Sequence, residues 1–300
     1  EFVQSIKDPG KGAVQADKSR EKNGFKDHGF GVVLGMDAGN PHDGWLGGAL
    51  TFYSGDVNEI ARSSHETQLW TVATGYGSWR GKGLFVDGKI DLGYAHIKGT
   101  RFVQLTTGTG TSQTSYVRYA QNSHAAALLS GGLTAGGMFT YGALTAAPQL
   151  SLDGMVLREE GFTEHNPQGT TTNGDAFNLK VEPYYAKSLR SFLGSNLRYD
   201  LKVRNMYLQP EVRLGYRYDF LADAVKLKAA FKDIDRDKEG NQNGPTFSLT
   251  GPDPSRGNAV LGATIGLTTS DWGLHLNYDY VRGSNGIVEQ VATFNLIGRI

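Results

Sequence analysis

Cysteine is absent from the 300 residues, so the chain builds neither disulfides nor thiolate metal sites. That absence does not fix the compartment. No run of about 18 apolar residues occurs anywhere, which excludes a membrane-spanning helix. It does not exclude spanning strands, which need only about 9–11 residues and hide every second one from lipid. An excess of charge is missing too. Thirty basic residues balance 30 acidic ones, so no overall field draws in nucleic acid. No secretory leader is visible, and residue 1 reads as the start of a fragment or of a mature chain.

Catalytic and cofactor signatures are scarce. Ser123, His124 and Asp153 hold the residue types of a hydrolase, but no G-x-S-x-G elbow accompanies them. The seven histidines (His28, His42, His65, His96, His124, His165 and His275) are scattered without ligand spacing, so no metal is expected. GTGTSQ and GNQNG read as flexible loops, because no phosphate-loop lysine follows them. GPDPSRG at 251–257 lacks calcium-loop carboxylates. The chain is read as a non-enzyme without cofactors and without a nucleic-acid surface.

What the chain does contain is glycine, aromatics and alternation. Glycine reaches 41 residues, about twice the usual share, and tyrosine and phenylalanine number 14 each. In 206–220, Met206, Leu208, Pro210, Val212, Leu214, Tyr216, Tyr218 and Phe220 share one parity, while Gln209, Glu211, Arg213, Arg217 and Asp219 share the other. Successive side chains of a strand point to opposite faces. Phe30, Val32, Leu34 and Met36 repeat the apolar row in 29–37, opposite Asp37. Leu84, Val86, Ile90, Leu92 and Tyr94 oppose Asp87, Lys89 and Asp91. Trp70, Val72 and Tyr76 fall in register within 66–79.

A soluble sheet would turn such apolar rows into its core, and a membrane barrel would turn them to lipid. Several strands exceed about 12 residues, more than most soluble strands reach. Short joints near 81–83, 140–142, 204–205 and 269–271 alternate with long polar excursions near 98–121, 159–185 and 232–256. Short turns on one side and long loops on the other suit an up-and-down barrel. Residues 104–121 read mainly as loop. Residues 225–231 read as a strand extension, and 11–19 as a short first strand. That gives twelve strands, with ten or fourteen left open.

The fold expected is therefore all-β, a single-chain antiparallel transmembrane β-barrel. Asp37, Asp87, Lys89, Asp91, Arg190, Arg198, Glu211, Arg213 and Arg217 are expected to line its lumen. Phe30, Val32, Leu34, Leu84, Ile90, Leu92, Leu208, Val212, Leu214 and Tyr216 are expected to face lipid. A charge turned to lipid at mid-bilayer would cost roughly 2–4 kcal/mol, which decides between the faces. Trp45, Tyr53, Trp70, Tyr76, Trp79, Tyr94, Tyr199, Tyr218, Trp272 and Tyr280 are candidates for interfacial girdles. Interior glycines such as Gly194, Gly215 and Gly266 either relieve crowding in the lumen or bend the wall.

Taken in order, GFGVVLGMDAG at 29–39, GGALTFYSGD at 47–56, GLFVDGKIDLGYAHIKG at 83–99, LTAAPQLSLDGMVLREEGFTE at 144–164, SLRSFLGSNLRYD at 188–200, LQPEVRLGYRYDF at 208–220 and DWGLHLNYDYVRG at 271–283 resemble the C-terminal translocator domain of type V autotransporters. The resemblance covers about residues 10–300. It implies a twelve-stranded barrel in the bacterial outer membrane, made as the tail of a longer polypeptide, that exports an upstream passenger for display or release. It further implies that residues 1–9, EFVQSIKDP, end a helix that threads the lumen, with residues 10–300 as the barrel. The barrel assembly machinery would read the closing strand through Phe294, Leu296 and Ile300, although the usual terminal aromatic is missing. The partners implied are the bilayer and the passenger, with the barrel itself a monomer. No self-cleaving pair of asparagines is present. A porin-like solute channel and an outer-membrane barrel phospholipase are the rival readings.

Overall fold

The computed structural model describes residues 2–7, 25–40, 43–59, 64–107, 114–167, 177–232, 246–251 and 254–298. The strands run in chain order as β1 (Phe2–Lys7), β2 (Phe25–Asn40), β3 (Gly44–Glu59), β4 (His65–Gly81), β5 (Leu84–Thr107) and β6 (Thr114–Gly137). They continue as β7 (Phe139–Tyr141), β8 (Leu144–Glu159), β9 (Phe162–Thr163), β10 (Leu179–Val181), β11 (Tyr184–Tyr199) and β12 (Leu201–Val203). The last six are β13 (Met206–Asp219), β14 (Lys226–Phe231), β15 (Phe247–Thr250), β16 (Gly257–Thr268), β17 (Trp272–Gly283) and β18 (Ile287–Gly298).

Each wall strand pairs antiparallel with its neighbour in the order β1, β2, β3, β4, β5, β6, β8, β11, β13, β16, β17, β18, and β18 returns to β1. The wall thus closes with twelve strands among the described residues. β7 and β12 extend the joints beside β8 and β13. Closure pairs the edges of the first and last long strands over the length of β1, which reduces the usual liability of an antiparallel sheet.

Turn chemistry sets the joints on one side. Lys82 and Gly83 have φ of 51° and 78°, so both centre residues of the β4–β5 joint are left-handed, as a tight hairpin requires. The β8 and β13 joints use Gly142 at 59° and Arg204 at 54°. Lys82 and Arg204 both place long side chains in a region that non-glycine residues rarely adopt.

β1 corrects the reading of residues 1–9 as a helical turn. Phe2–Lys7 is a strand, paired with Lys26–Phe30 on one side and Ile287–Ala292 on the other. Two strand edges with unpaired backbone groups need a partner, and an extended segment supplies it where a helix would not. The proposed strand at 11–19 lies outside the described residues. On the turn side of this seam, Gly31–Asn40 and Thr293–Gly298 have no strand partner toward β1 among the described residues.

The 104–121 loop reading also needs correction. β5 and β6 each run 24 residues, pairing from Leu84↔Gly137 out to Thr107↔Thr114. The Thr-rich stretch is part of a hairpin that rises beyond the wall. Beside it, β9, β10, β14 and β15 form a separate four-stranded sheet on the loop side. Leu179, Val181 and Ala229 make its small core, covered by Phe162, Phe231 and Phe247.

A half-buried ion pair ties this small sheet to the hairpin. Arg101 Nε and Nη2 donate to the two oxygens of Glu164 at 2.8 and 2.6 Å, and the amide of Leu179 donates to Glu164 Oε2 at 2.7 Å. Glu164 is 3% exposed. Glu164→Ala therefore leaves the Leu179 amide without its side-chain acceptor, at a cost of about 1–3 kcal/mol before relaxation, and leaves Arg101 with the Phe177 carbonyl and solvent. Amide exchange in β10 should quicken by about tenfold or more, while heat-modifiable gel mobility of the barrel is retained. Unchanged exchange would show that the pair does not hold the sheet.

Candidate functional site: the barrel interior

Closure sorts the side chains by parity. On β13, Glu211, Arg213, Gly215, Arg217 and Asp219 face inward, and Val212, Leu214, Tyr216 and Tyr218 face outward and are exposed. One contact fixes which face is concave. Arg217 Nη1 reaches Glu289 Oε2 of β18 at 3.9 Å across the two intervening strands β16 and β17. Only side chains on the inside of a curved wall converge in this way.

Most inward charges have partners. Asp91 accepts from Thr74 Oγ1 at 2.8 Å and Ser130 Oγ at 2.6 Å, and pairs with Lys89 Nζ at 3.1 Å. Asp87 accepts from Ser78 Oγ at 2.6 Å and pairs with Arg80 at 3.0 Å. Asp37 accepts from the Tyr76 hydroxyl at 3.1 Å. Arg198 pairs with Asp200 at 3.1 Å, and Arg213 pairs with Asp279 on β17. Arg190 lies in register between Asp153 and Asp219, and Glu211 between Arg198 and Thr264. By register Asp37, Asp87, Lys89, Asp91, Arg190, Arg198, Glu211 and Arg213 carry the same parity as Arg217 and Glu289.

The outer row is apolar. Phe30, Val32, Leu34, Leu84, Ile90, Leu92, Val212, Leu214 and Tyr216 are exposed there, and Leu208 is half-buried. Phe294 and Leu296 lie exposed on the outer face of β18. Ile300 lies outside the described residues.

The girdle reading needs division. Trp79, Tyr94, Tyr199, Tyr218, Trp272 and Tyr280 share the outer parity. Trp45, Tyr53, Trp70 and Tyr76 point inward. Trp45 and Phe85 receive the Arg80 guanidinium on their rings at 4.7 and 4.8 Å. Trp70 packs on Ala95, Ile97 and Ala126 and donates to Gln68 at 3.0 Å. The apolar parity of β4 is therefore the inner one, because its outer row, Leu69, Thr71, Ala73, Gly75 and Gly77, is small and only weakly apolar.

Inner glycines have a specific use. A Cβ on Gly194 or Gly215 would run into the ring of Phe192, which lies across both. Tyr53 covers Gly29 and Gly55 in the same way, and Phe85 covers Gly136. The glycines seat aromatic rings flat against the wall, which protects the exposed backbone.

At the loop-side mouth, titratable groups from four wall strands meet. His124 is buried, its Nε2 3.2 Å from Glu159 Oε2 and its Nδ1 3.1 Å from Asn122 Oδ1, and its ring stacks on Phe162 at 4.5 Å. Glu66 and Tyr184 complete the group. Each precedes the apolar belt of its own strand, which starts at Leu69 on β4 and Leu189 on β11. Burial pushes the Glu66 carboxyl up, Gln68 opposes this by donating to it, and the Glu159 charge adds to the rise. Burial also pushes the Tyr184 hydroxyl up, reinforced by Glu159.

A carboxyl raised in the folded state stabilises fully below its unfolded value, and that contribution is lost as pH rises through the raised value. Glu66→Gln should therefore make the barrel more stable than wild type at neutral pH, with the difference vanishing below the ordinary carboxylate range. Denaturation midpoints at pH 7.5 and 3.5 would check this. An equal difference at both would remove burial of Glu66 as the cause.

The hydrolase constellation is not assembled. Ser123 Oγ lies 3.3 Å from His96 Nε2 on the outer face, while His124 and Asp153 face inward. Among the described residues, no three His, Asp or Glu side chains gather as a metal site. No helix among the described residues is long and apolar enough to cross a membrane.

A family model, the autotransporter beta-domain, matches residues 9–279. The chain belongs to that family. Three solved structures share its fold. The translocator domain of NalP from Neisseria meningitidis aligns with TM-score 0.62 at 14% identity, over 100% of this chain and 85% of that one. The beta domain of the Bordetella autotransporter BrkA aligns at 0.55 and 16%, over 98% and 95%. The transport unit of AIDA-I from Escherichia coli aligns at 0.54 and 14%, over 100% and 88%. No curated protein matches the sequence. As an autotransporter β-domain, the chain is an outer-membrane β-barrel with a passenger-export role.

Proposed function

We propose that this β-domain moves its upstream passenger outward along the charged interior described above, without catalysis of its own. The observation that carries the reading is the Arg217–Glu289 contact across two strands, which gathers the ionised groups on the concave side. Charges there meet water and each other, and the outer row meets acyl chains. Asn196 Oδ1 and Arg213 Nε, both buried, have no hydrogen-bond partner among the described residues and suit a hydrated interior.

Residues 10–300 form the membrane unit in this reading, with Phe2–Lys7 added to the wall as β1. In this reading the barrel works as a monomer, because β1 joins β2 to β18 and closes the wall within one chain. Phe294 and Leu296 on β18 present the outward apolar pattern that an assembly factor reads. No nucleotide or cofactor enters the cycle, and folding of the emerging passenger outside supplies direction.

An epitope-tagged segment fused upstream of residue 1 tests the proposal in a Gram-negative host. The tag should become accessible to added protease on intact cells once the barrel is heat-modifiable in the outer membrane. A folded barrel whose tag stays protected in intact cells would overturn export and favour a solute channel.

A further inference from the structure

Arg158 on β8 and Lys187 on β11 stand out on the outer face. Both are exposed, and both share the parity of Leu152, Val156 and Leu189. Register sets them side by side, since Arg158 pairs with Tyr185 and Val156 pairs with Lys187. Diagonal neighbours on one face of a sheet lie within reach of long side chains. No carboxylate lies within ion-pair distance of either among the described residues. Glu159 turns inward to His124, while Glu160 and Glu182 lie past the strand ends. Two like charges on a lipid-side row cost free energy unless an anion joins them.

Apolar furrows run below this cation pair. One of about 690 Å³ lies along Leu92, Tyr94, Ala127, Leu129 and Val156 and ends at Arg158. A second of about 470 Å³ passes over Gly131 and Gly154, between Ile90 and Leu189, and reaches Lys187. The small residues open the furrows, and the ridge of Leu129 and Val156 borders both. The Tyr94 and Tyr185 rings flank the cations on the same hydrogen-bonded row, Tyr94–Ala127–Arg158–Tyr185.

We propose that this face binds one anionic, phosphate-bearing lipid, its phosphate between Arg158 and Lys187 and its acyl chains in the two furrows. The proposal rests on the reading that the outer row meets lipid. Phosphate oxygens accept from guanidinium and ammonium donors together, and aromatic rings suit the headgroup level. The lipid would anchor the wall beneath the β5–β6 hairpin during passage of the passenger.

Native mass spectrometry of the detergent-purified barrel tests it, with phosphatidylglycerol, phosphatidylcholine of the same chains, and inorganic phosphate as probes. Wild type should retain phosphatidylglycerol about tenfold over phosphatidylcholine. The Arg158→Gln/Lys187→Gln double variant should lose most of that preference. The charge-conserving Arg158→Lys/Lys187→Arg double variant should keep it, and so should Arg282→Gln, which removes an exposed cation on β17. Heat-modifiable mobility confirms folding of each, and Lys187→Gln alone serves if the double variant does not fold. No preference in wild type, a preference that survives loss of the charges, or equal occupancy by inorganic phosphate would overturn the site. Such a barrel would still bind detergent on its apolar row, so failure of the site is distinguishable from failure of the lipid-facing reading.

Discussion

Replacing Leu214 with arginine lowers the stability of the folded barrel in lipid by about 2–4 kcal/mol. Leu214 is exposed in mid-β13 on the outer face, between Val212 and Tyr216. An arginine there meets acyl chains on one side and apolar neighbours on the other. Thr293, on the inner face of β18 opposite Asn277, offers the contrast. Thr293→Arg places the same charge in a polar interior and should cost about 0.5 kcal/mol or less. Reversible folding into bilayers, followed by tryptophan fluorescence, measures both. Equal losses would mean that the two faces share one solvent.

The second large effect concerns the Phe192 seat. Gly215→Val should destabilise by about 1–3 kcal/mol, because its side chain must displace a ring that already lies on the backbone. Gly194→Val should behave alike. Phe192→Ala frees the space, so the double variant Phe192→Ala/Gly215→Val should cost less than the sum of its parts. Residues in contact couple by about 0.5–3 kcal/mol in such cycles. Strict additivity would show that the glycine serves the wall's curvature and not the ring.

These two sites also mark how much was readable beforehand. β13 was legible because charged residues, with Gly215 among them, alternate with aliphatic and aromatic residues from Glu211 to Phe220. β4 was not, because its bulky residues face inward as pads and its outer row is alanine, glycine and threonine. The aromatic candidates divided for the same reason: Trp79 and Tyr94 face out, whereas Trp70 and Tyr76 serve interior packing and hydrogen bonding. Strand ends at short turns could be read from Gly83 and Gly142. β9 and β10, two and three residues long, carry no periodic signal. The Thr-rich hairpin reads as loop until its pairing partner is known.

The interior pairs needed register as well as parity. Parity placed Arg213 and Arg217 inside, but their partners Asp279 and Glu289 lie more than 60 residues on. Cross-strand pairs depend on how strands align, and alternation alone leaves that open. The Arg158–Lys187 pair was invisible for the same reason, since neither residue is unusual until β8 and β11 are laid side by side.

The central claim is that one face of the wall meets lipid and the other meets water. The cysteine-free chain accepts single spin labels without background. Labels placed one at a time from position 211 to 217 of β13, in bilayers, would be relaxed by molecular oxygen and by a water-soluble nickel complex. Oxygen should dominate at 212, 214 and 216, and nickel at 211, 213, 215 and 217. A profile without alternation, or with the opposite phase, would contradict the account.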